Sequence, residues 1–458
     1  MPSNDRMSPF EMRASLSLAS IYGLRMLGMF LILPVFAVYA ERLPGGDNHT
    51  LIGLALGAYG LTQALLQLPF GMASDRVGRK RVIYFGLALF ALGSFVAASA
   101  HSIYWIIIGR TIQGAGAINA AVTALVADLT REEHRTKAMA MIGGTIGMTF
   151  AASLVLGPAL YHLISIPGIF AMTGVLAIVA VAVMKFAVPN PKFSRFHSDA
   201  EAVPAKLLGV LRNRELLRLN FGIFSLHAVQ MAMFVVMPFA LRQTSGLDVN
   251  HHWEVYLPVL AVSLVFMVPM IIYGEKKAKL RTVFLASVTM MLAAEIAFIP
   301  AINHFWGIVG VMILYFVAFN VLEASLPSII SKIAPTGSKG TAMGVYNTFQ
   351  SFGLFVGGTL GGYLSYRFGS ASVFEFGAAL IGIWLLLAAR MKPLPAVKNL
   401  MFHVPDMSAE QAHRLEQQIA AVTGVTEVAV ATEEGAAYVK VDSRRLDEAA
   451  LHALLPSV

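Results

Sequence analysis

Apolar residues in this chain come in long runs rather than in alternation. Stretches such as RVIYFGLALFALGSFVAASA (81–100) and RTVFLASVTMMLAAEIAFIP (281–300) have the length a helix needs to cross a bilayer, roughly 20 mainly apolar residues, and such runs recur between short polar links. Twelve spans are predicted, near 15–40, 50–73, 81–100, 103–126, 137–161, 167–188, 216–240, 253–273, 281–300, 304–328, 340–365 and 370–390. That apolar length exceeds what one aqueous core absorbs. No small-residue cleavage site follows the first run, so MPSNDRMSPFEMR is expected to lead into a retained first helix. After Arg390 the pattern changes. A short link, KPLPAVKN, precedes alternating strands (LMFHV, TEVAVAT, AAYVKVD) and two stretches with helical i/i+3/i+4 spacing, a small βαββα unit. About 60 residues is marginal for independent stability, so docking or dimerisation through this unit is expected.

Composition agrees with the pattern. Only 13% of residues are charged and mean hydropathy is +0.69, whereas about a quarter of a soluble domain is charged. The formal charge of +8 does not point to nucleic acid, because the basic residues occupy alternate links. With the N-terminus inside, the cytoplasmic links hold 22 Lys and Arg, and the opposite links hold Arg42, Arg242 and Arg367. Basic residues are retained on the cytoplasmic side during insertion, so both termini are expected there, in an inner (plasma) membrane. Cysteine is absent, which excludes thiol catalysis, disulfides and thiolate metal sites.

The twelve spans divide into two sets of six. KAMAMIGGTIGMTFAASLVLGP (137–158) aligns without a gap on TAMGVYNTFQSFGLFVGGTLGG (341–362), and PFGMASDRVGRKR (69–81) on PMIIYGEKKAKLR (269–281). The offsets, 204 and 200, agree to within a loop. The expected layout is a six-helix half over 1–188, a linker over 189–215, a second half over 216–391 and the small α+β domain over 398–458. Parallel halves with a site at their interface are a transporter architecture.

The link GMASDRVGRKR resembles the signature loop of the major facilitator superfamily, with Gly71, Asp75, Arg76, Gly78 and Arg79 in register. GRTIQGAGAINAA (109–121) resembles the fourth-helix pattern of that family's proton-coupled members, with Arg110 as its charge. Span five keeps the Gly157-Pro158 typical of antiporters, but Tyr161 and His162 stand where glycines usually follow. RMLGMF, DLTREEHRTKAMA, VAFN, KGTAMGVY and AYVK make the chain similar to the YajR group of proton-driven efflux proteins, which carry a ferredoxin-like cytoplasmic domain. The tail also resembles a heavy-metal-associated domain without its Cys-x-x-Cys loop; His403 and Met407 near that position read as incidental, and no metal is expected. The family geometry implies a conformational latch, with Asp75 facing the start of span eleven and Arg79 paired with Asp128. A carboxylate at a helix N-terminus gains ~0.3–1 kcal/mol when exposed. Such contacts favour an outward-facing state. Lys80 and Arg81 read as topological charge in contact with lipid headgroups. The weaker copy of the loop, with Lys332 where an acid would match Asp128, makes the latch one-sided.

Charges inside spans cost at least ~2.5–3.5 kcal/mol on insertion scales, so each needs a reason. In the family, spans one, four, seven and ten line the cavity. Here they carry Tyr22 and Arg25, Arg110 and Gln113, His227 and Gln230, and Asn320 and Glu323, each pair three residues apart on one helical face. Glu323 is the leading proton carrier, with Arg25 and Arg110 as coupling partners; the alternative is a structural ion pair between Glu323 and one of those arginines. His227 could titrate near neutral pH, but a lone histidine in a helix is more often a packed or hydrogen-bonded residue. Met26, Met29, Met231 and Phe234 suit varied hydrophobic or cationic substrates, or simply pack. Glu295 lies in a span that commonly faces lipid in this family, and the sequence gives it no role.

The expected function is proton-coupled efflux of small molecules by alternating access, with a proton gradient as energy source and no cofactor. Proton-coupled uptake and a membrane sensor regulated by the tail are the rivals. No His-Glu-x-x-His or Gly-x-Ser-x-Gly motif suggests an enzyme.

Overall fold

A computed structural model describes residues 7–190, 204–277, 279–335, 338–392, 397–405, 407–432, 435–442 and 445–455. Most of the expected 189–215 linker, and 393–396 of KPLPAVKN, lie outside them. Helix α1 (Pro9–Phe30) starts on a capping box between Ser8 and Glu11, with proline in its first turn. The first span does not continue to residue 40 as one helix. It breaks over 31–35, where Pro34 removes a donor, and resumes as α2 (Phe36–Ala40). Helices α3 (His49–Val77) and α4 (Arg79–Ala98) meet at Gly78, whose φ of 104° suits a residue without Cβ.

Span four is likewise interrupted, into α5 (Ile103–Ala115) and α6 (Asn119–Leu129). Its glycines explain the break: a Cβ at Gly114 would strike the Tyr59 carbonyl and one at Gly116 the Gly86 carbonyl. Helix α7 (Glu132–Phe186) contains spans five and six, joined through Ser165 at φ 59° rather than through an open loop.

The second half comprises α8 (Pro204–Arg212), α9 (Arg214–Ser245), α10 (Trp253–Lys276), α11 (Leu280–Ala301), α12 (Phe305–Ile333), α13 (Lys339–Phe368) and α14 (Ser370–Ala389). Among the described residues, nine segments are long and apolar enough to cross a membrane; one of them, Lys137–Phe186, has the length of two spans. In the tail, β1 (Val397–His403), β2 (Val425–Ala431) and β3 (Ala436–Asp442) form an antiparallel sheet in the order β1-β3-β2, accompanied by α15 (Ala409–Ala420) and α16 (Glu448–Leu454). Ala437, Val439 and Val441 face the tail's own core. Lys440, on the other face, is buried and donates to the Ala334 carbonyl that ends α12, at 2.8 Å. The tail therefore touches the helical bundle.

The halves close on each other at the end away from the Arg76–Arg81 loop. There α3 and α13 meet backbone to backbone: a Cβ at Gly53 would strike the Gly358 carbonyl, and one at Gly60 the Ser351 carbonyl. Arg242 pairs with Glu41 at 3.1 Å, His49 stacks on Phe239, and Phe150 of α7 packs against Phe234 and Phe319. At the basic end the halves part. Gly143, Gly144 and Gly147 border open space, and Asp75, Arg76 and Val77 are exposed.

Candidate functional site

The basic loop is organised by Arg79. Its Nη1 donates to Asp75 Oδ1 at 2.7 Å and its Nε to Asp128 Oδ2 at 2.6 Å, and the Asp128 side chain is fully buried. Asp75 does not reach the first turn of α13: among the described residues its ion-pair partner is Arg79, one turn along the chain. The parting of the halves at this end accounts for the difference. Gly71 lies against Ala120, and Arg76 points out. Lys80 has a more specific place than headgroup contact, donating to the Val188 carbonyl and to Asn190, both at 2.7 Å. Arg13 likewise caps α7 through the Phe186 and Ala187 carbonyls. The second half repeats this device, with Arg218 on the Arg390 carbonyl and Arg281 on that of Ala389. Its copy of the latch is different, because Lys279 donates to the Tyr273 hydroxyl.

Beneath the loop, Glu11 accepts from the Arg131 backbone and side chain and lies 3.3 Å from His134 Nδ1. Burial alone would raise its carboxyl, but the bonds from Arg131 and Ser8 prevail and hold it well below the usual carboxylate range.

Deeper in the first half, Arg25 and Arg110 are both buried, and both lie over the Tyr59 ring, at 5.7 and 4.9 Å from its centroid. Arg25 donates to Asn119 at 2.6 Å and to Gln63 at 3.2 Å. Arg110 donates to Gln113 and to the Ala55 and Leu56 carbonyls, while Gln113 donates to Ser94. Tyr22 is buried in the same core. Carbonyls, amides and aromatic faces surround these cations; among the described residues Arg25 Nε has no hydrogen-bond partner, and no carboxylate pairs with either.

In the second half, His227 Nδ1 lies 3.3 Å from the Ile223 carbonyl, which assigns its hydrogen there and leaves Nε2 to accept from Gln350 Nε2 at 2.8 Å. The same amide nitrogen donates to Glu323 Oε1 at 3.3 Å, and Glu323 Oε2 is 3.8 Å from His227 Nε2. The Glu323 side chain is 34% exposed. Its expected partners were Arg25 or Arg110; the structure gives it His227 and Gln350, and Arg25 and Arg110 stay in the other half. Gln230 and Phe234 are buried on α9, and Asn320 donates to Ser263. Glu295 does not face lipid. It is 1% exposed, its carboxyl lies where a Cβ of Gly377 would sit, and Oε1 has no hydrogen-bond partner among the described residues.

Sequence reasoning missed Gln63, Asn119, Gln350 and Ser351. Each is a neutral polar residue inside a span, and that was the available signal. Gly157 lies against the Leu31 carbonyl and Pro34, where α1 breaks. The residues that depart from the glycine pattern make contacts of their own: Tyr161 packs edge-on against Tyr39, and His162 meets Asn250 at 3.4 Å.

Residues 18–358 match the Major Facilitator Superfamily model, and residues 400–455 match the YajR YAM domain. The chain is 45% identical over 440 residues to the inner membrane transport protein YajR of Escherichia coli, covering 96% of each chain. It is 24% identical over 382 residues to the quinolone resistance protein NorA of Staphylococcus aureus, covering 79% of this chain and 92% of that one. Among solved structures, a bacterial homolog to the human lysosomal transporter Spinster, inward-facing and occupied, aligns with a TM-score of 0.71 at 15% identity, over 84% of this chain and 98% of that one.

Proposed function

The chain belongs to the major facilitator superfamily, a transporter family, and on that premise we propose that it expels small hydrophobic or cationic compounds across the inner membrane in exchange for protons. The observation that carries this reading is Glu323. It is an acid within a span, its side chain a third exposed but its Oε2 buried, set against His227 and Gln350; among the described residues Oε2 has no hydrogen-bond partner and no arginine or lysine pairs with the carboxyl. Charge at such a position is costly, so gain or loss of one proton changes the stability of the surrounding arrangement. With the basic links inside, the closed end is the outer one and the cavity opens to the cytoplasm, where substrate enters. Opening the outer contacts then gives outside protons access to Glu323, and the carrier returns protonated after substrate has left.

The latch belongs to the opposite state. When the cytoplasmic ends approach, Asp75 meets the first turn of α13, and Arg79 holds Asp75 and Asp128 in position for that contact. Export, rather than uptake, is supported by the kept Gly157-Pro158 pair and by the printed name of the NorA relative. The test is transport in proteoliposomes under an imposed pH gradient, across a panel of lipophilic cations and neutral aromatic compounds. Substrate movement opposite to protons is expected; movement with them identifies uptake and overturns export.

A further inference from the structure

Two adjacent residues of α13 face different partners. Gln350 faces the acid of the second half, donating to both His227 Nε2 and Glu323 Oε1. Ser351, about 100° further round the helix, faces the first half and accepts from Gln63 Nε2 at 3.2 Å, while Gln63 Oε1 accepts from Arg25. Asn119 holds the other end of that guanidinium. Two sets of polar contacts, joined through the α13 backbone between Gln350 and Ser351, therefore link Glu323 on α12 with Arg25 on α1. The link crosses between the halves where Gly60 lets the α3 backbone touch the Ser351 carbonyl.

We propose that Gln350 and Ser351 transmit the charge state of Glu323 to the contact between the halves, a role that rests on the proton-carrier reading of Glu323. The chemistry is that of the amide. Its nitrogen now serves two acceptors; a proton on Glu323 Oε1 makes that acceptor a donor, and Gln350 answers by turning its carbonyl oxygen toward it, whereas a proton on Oε2 leaves the amide in place. The titratable groups facing Glu323 among the described residues are His227 from α9 and Tyr346 from α13. The turn displaces α13 at the residue beside Ser351. Gln63 and Ser351 are 6% and 2% exposed, so opening the closed end breaks a buried hydrogen bond, and a shift at Ser351 changes the cost of that opening. Both are positioning residues; neither need touch substrate.

The chain has no cysteine, so spin labels attach directly to Asp47→Cys and Tyr366→Cys, at the closed ends of α3 and α13. Distances between them in lipid nanodiscs are followed from about pH 8 to about pH 5. The native background is expected to shift toward the closed outer end as pH falls, since the protonated carrier is the one that returns, with the proton changing the opening equilibrium about 5–150-fold, the ordinary range of allosteric coupling. Ser351→Ala loses that pH response, and Ser351→Thr, which keeps the hydroxyl, retains it. A response that survives in Ser351→Ala, is lost in Ser351→Thr as well, or is absent from the native background overturns the proposal. Glu323→Gln separates the two ideas. A response lost in Glu323→Gln but intact in Ser351→Ala removes the transmission alone, whereas one intact in Glu323→Gln removes the proton-carrier reading too.

Discussion

In the first half, the charged side chains held deep within the spans are Arg25 and Arg110; in the second half they are Glu295 and Glu323. The cations are permanent, and carbonyls, amides and the Tyr59 ring surround them. The acids have few partners and can be neutralised. A direct arginine–glutamate pair would hold the acid ionised and fix the halves together. Separating them, with neutral amides and one serine between, leaves Glu323 free to change charge while the cations hold their half rigid. On the proposed reading, the two halves have diverged into one that holds fixed cations and one that takes up and releases the proton.

The sharpest way to break this comparison lies at the basic loop. Arg79→Ala removes the guanidinium from the fully buried Asp128 side chain and is expected to cost about 3–5 kcal/mol, the usual penalty for breaking a buried pair. Its counterpart Lys279→Ala, on an exposed residue, is expected to cost less than about 0.5 kcal/mol. Thermal unfolding in detergent compares them, and equal costs would show the two loops to be equivalent. Next, Gly53→Ala places a methyl against the Gly358 carbonyl and is expected to destabilise the closed end by about 1–3 kcal/mol. Labelling of a cysteine introduced at Phe234 from the outer side should then increase.

The smallest effect compares the feet of the two halves. Glu11 and Glu215 both sit in the first turn of the opening helix, but Glu11 is more buried and accepts from the Arg131 backbone. Because its folded pKa is depressed, Glu11 contributes stability above the unfolded carboxylate value, and that contribution is lost as pH falls through the folded value. Glu11→Gln should therefore cost about 1–2 kcal/mol at neutral pH, and less in acid. Glu215→Gln should cost less at every pH. Melting temperatures across the acid range distinguish them, and a Glu11→Gln deficit that grows in acid would contradict the assignment.

The spans were legible by run length, and the pairing of Arg79 with Asp128 through the family resemblance that the dense loop motif carries. The breaks at Pro34 and at Gly114–Gly116 were less so, since they depend on which backbone each residue meets across the bundle. Glu323 was legible as a rare acid inside a span, but its partners were not: His227 and Gln350 lie 96 and 27 positions away, and the sequence offered only the more conspicuous arginines. Gln63 and Ser351 carry no charge and little insertion penalty, so their polarity inside a span marks them only weakly. Lys80 shows the converse, a residue accounted for by topology that also caps a helix end.

The central claim is that Glu323 carries the proton that drives transport. Proteoliposomes holding the native protein or Glu323→Gln, loaded with one transported compound and given a pH gradient, test it directly. The native protein should drive the compound uphill against the proton flow, and Glu323→Gln should allow only downhill movement, with no dependence on the gradient. Uphill transport by Glu323→Gln at the native rate would contradict the account.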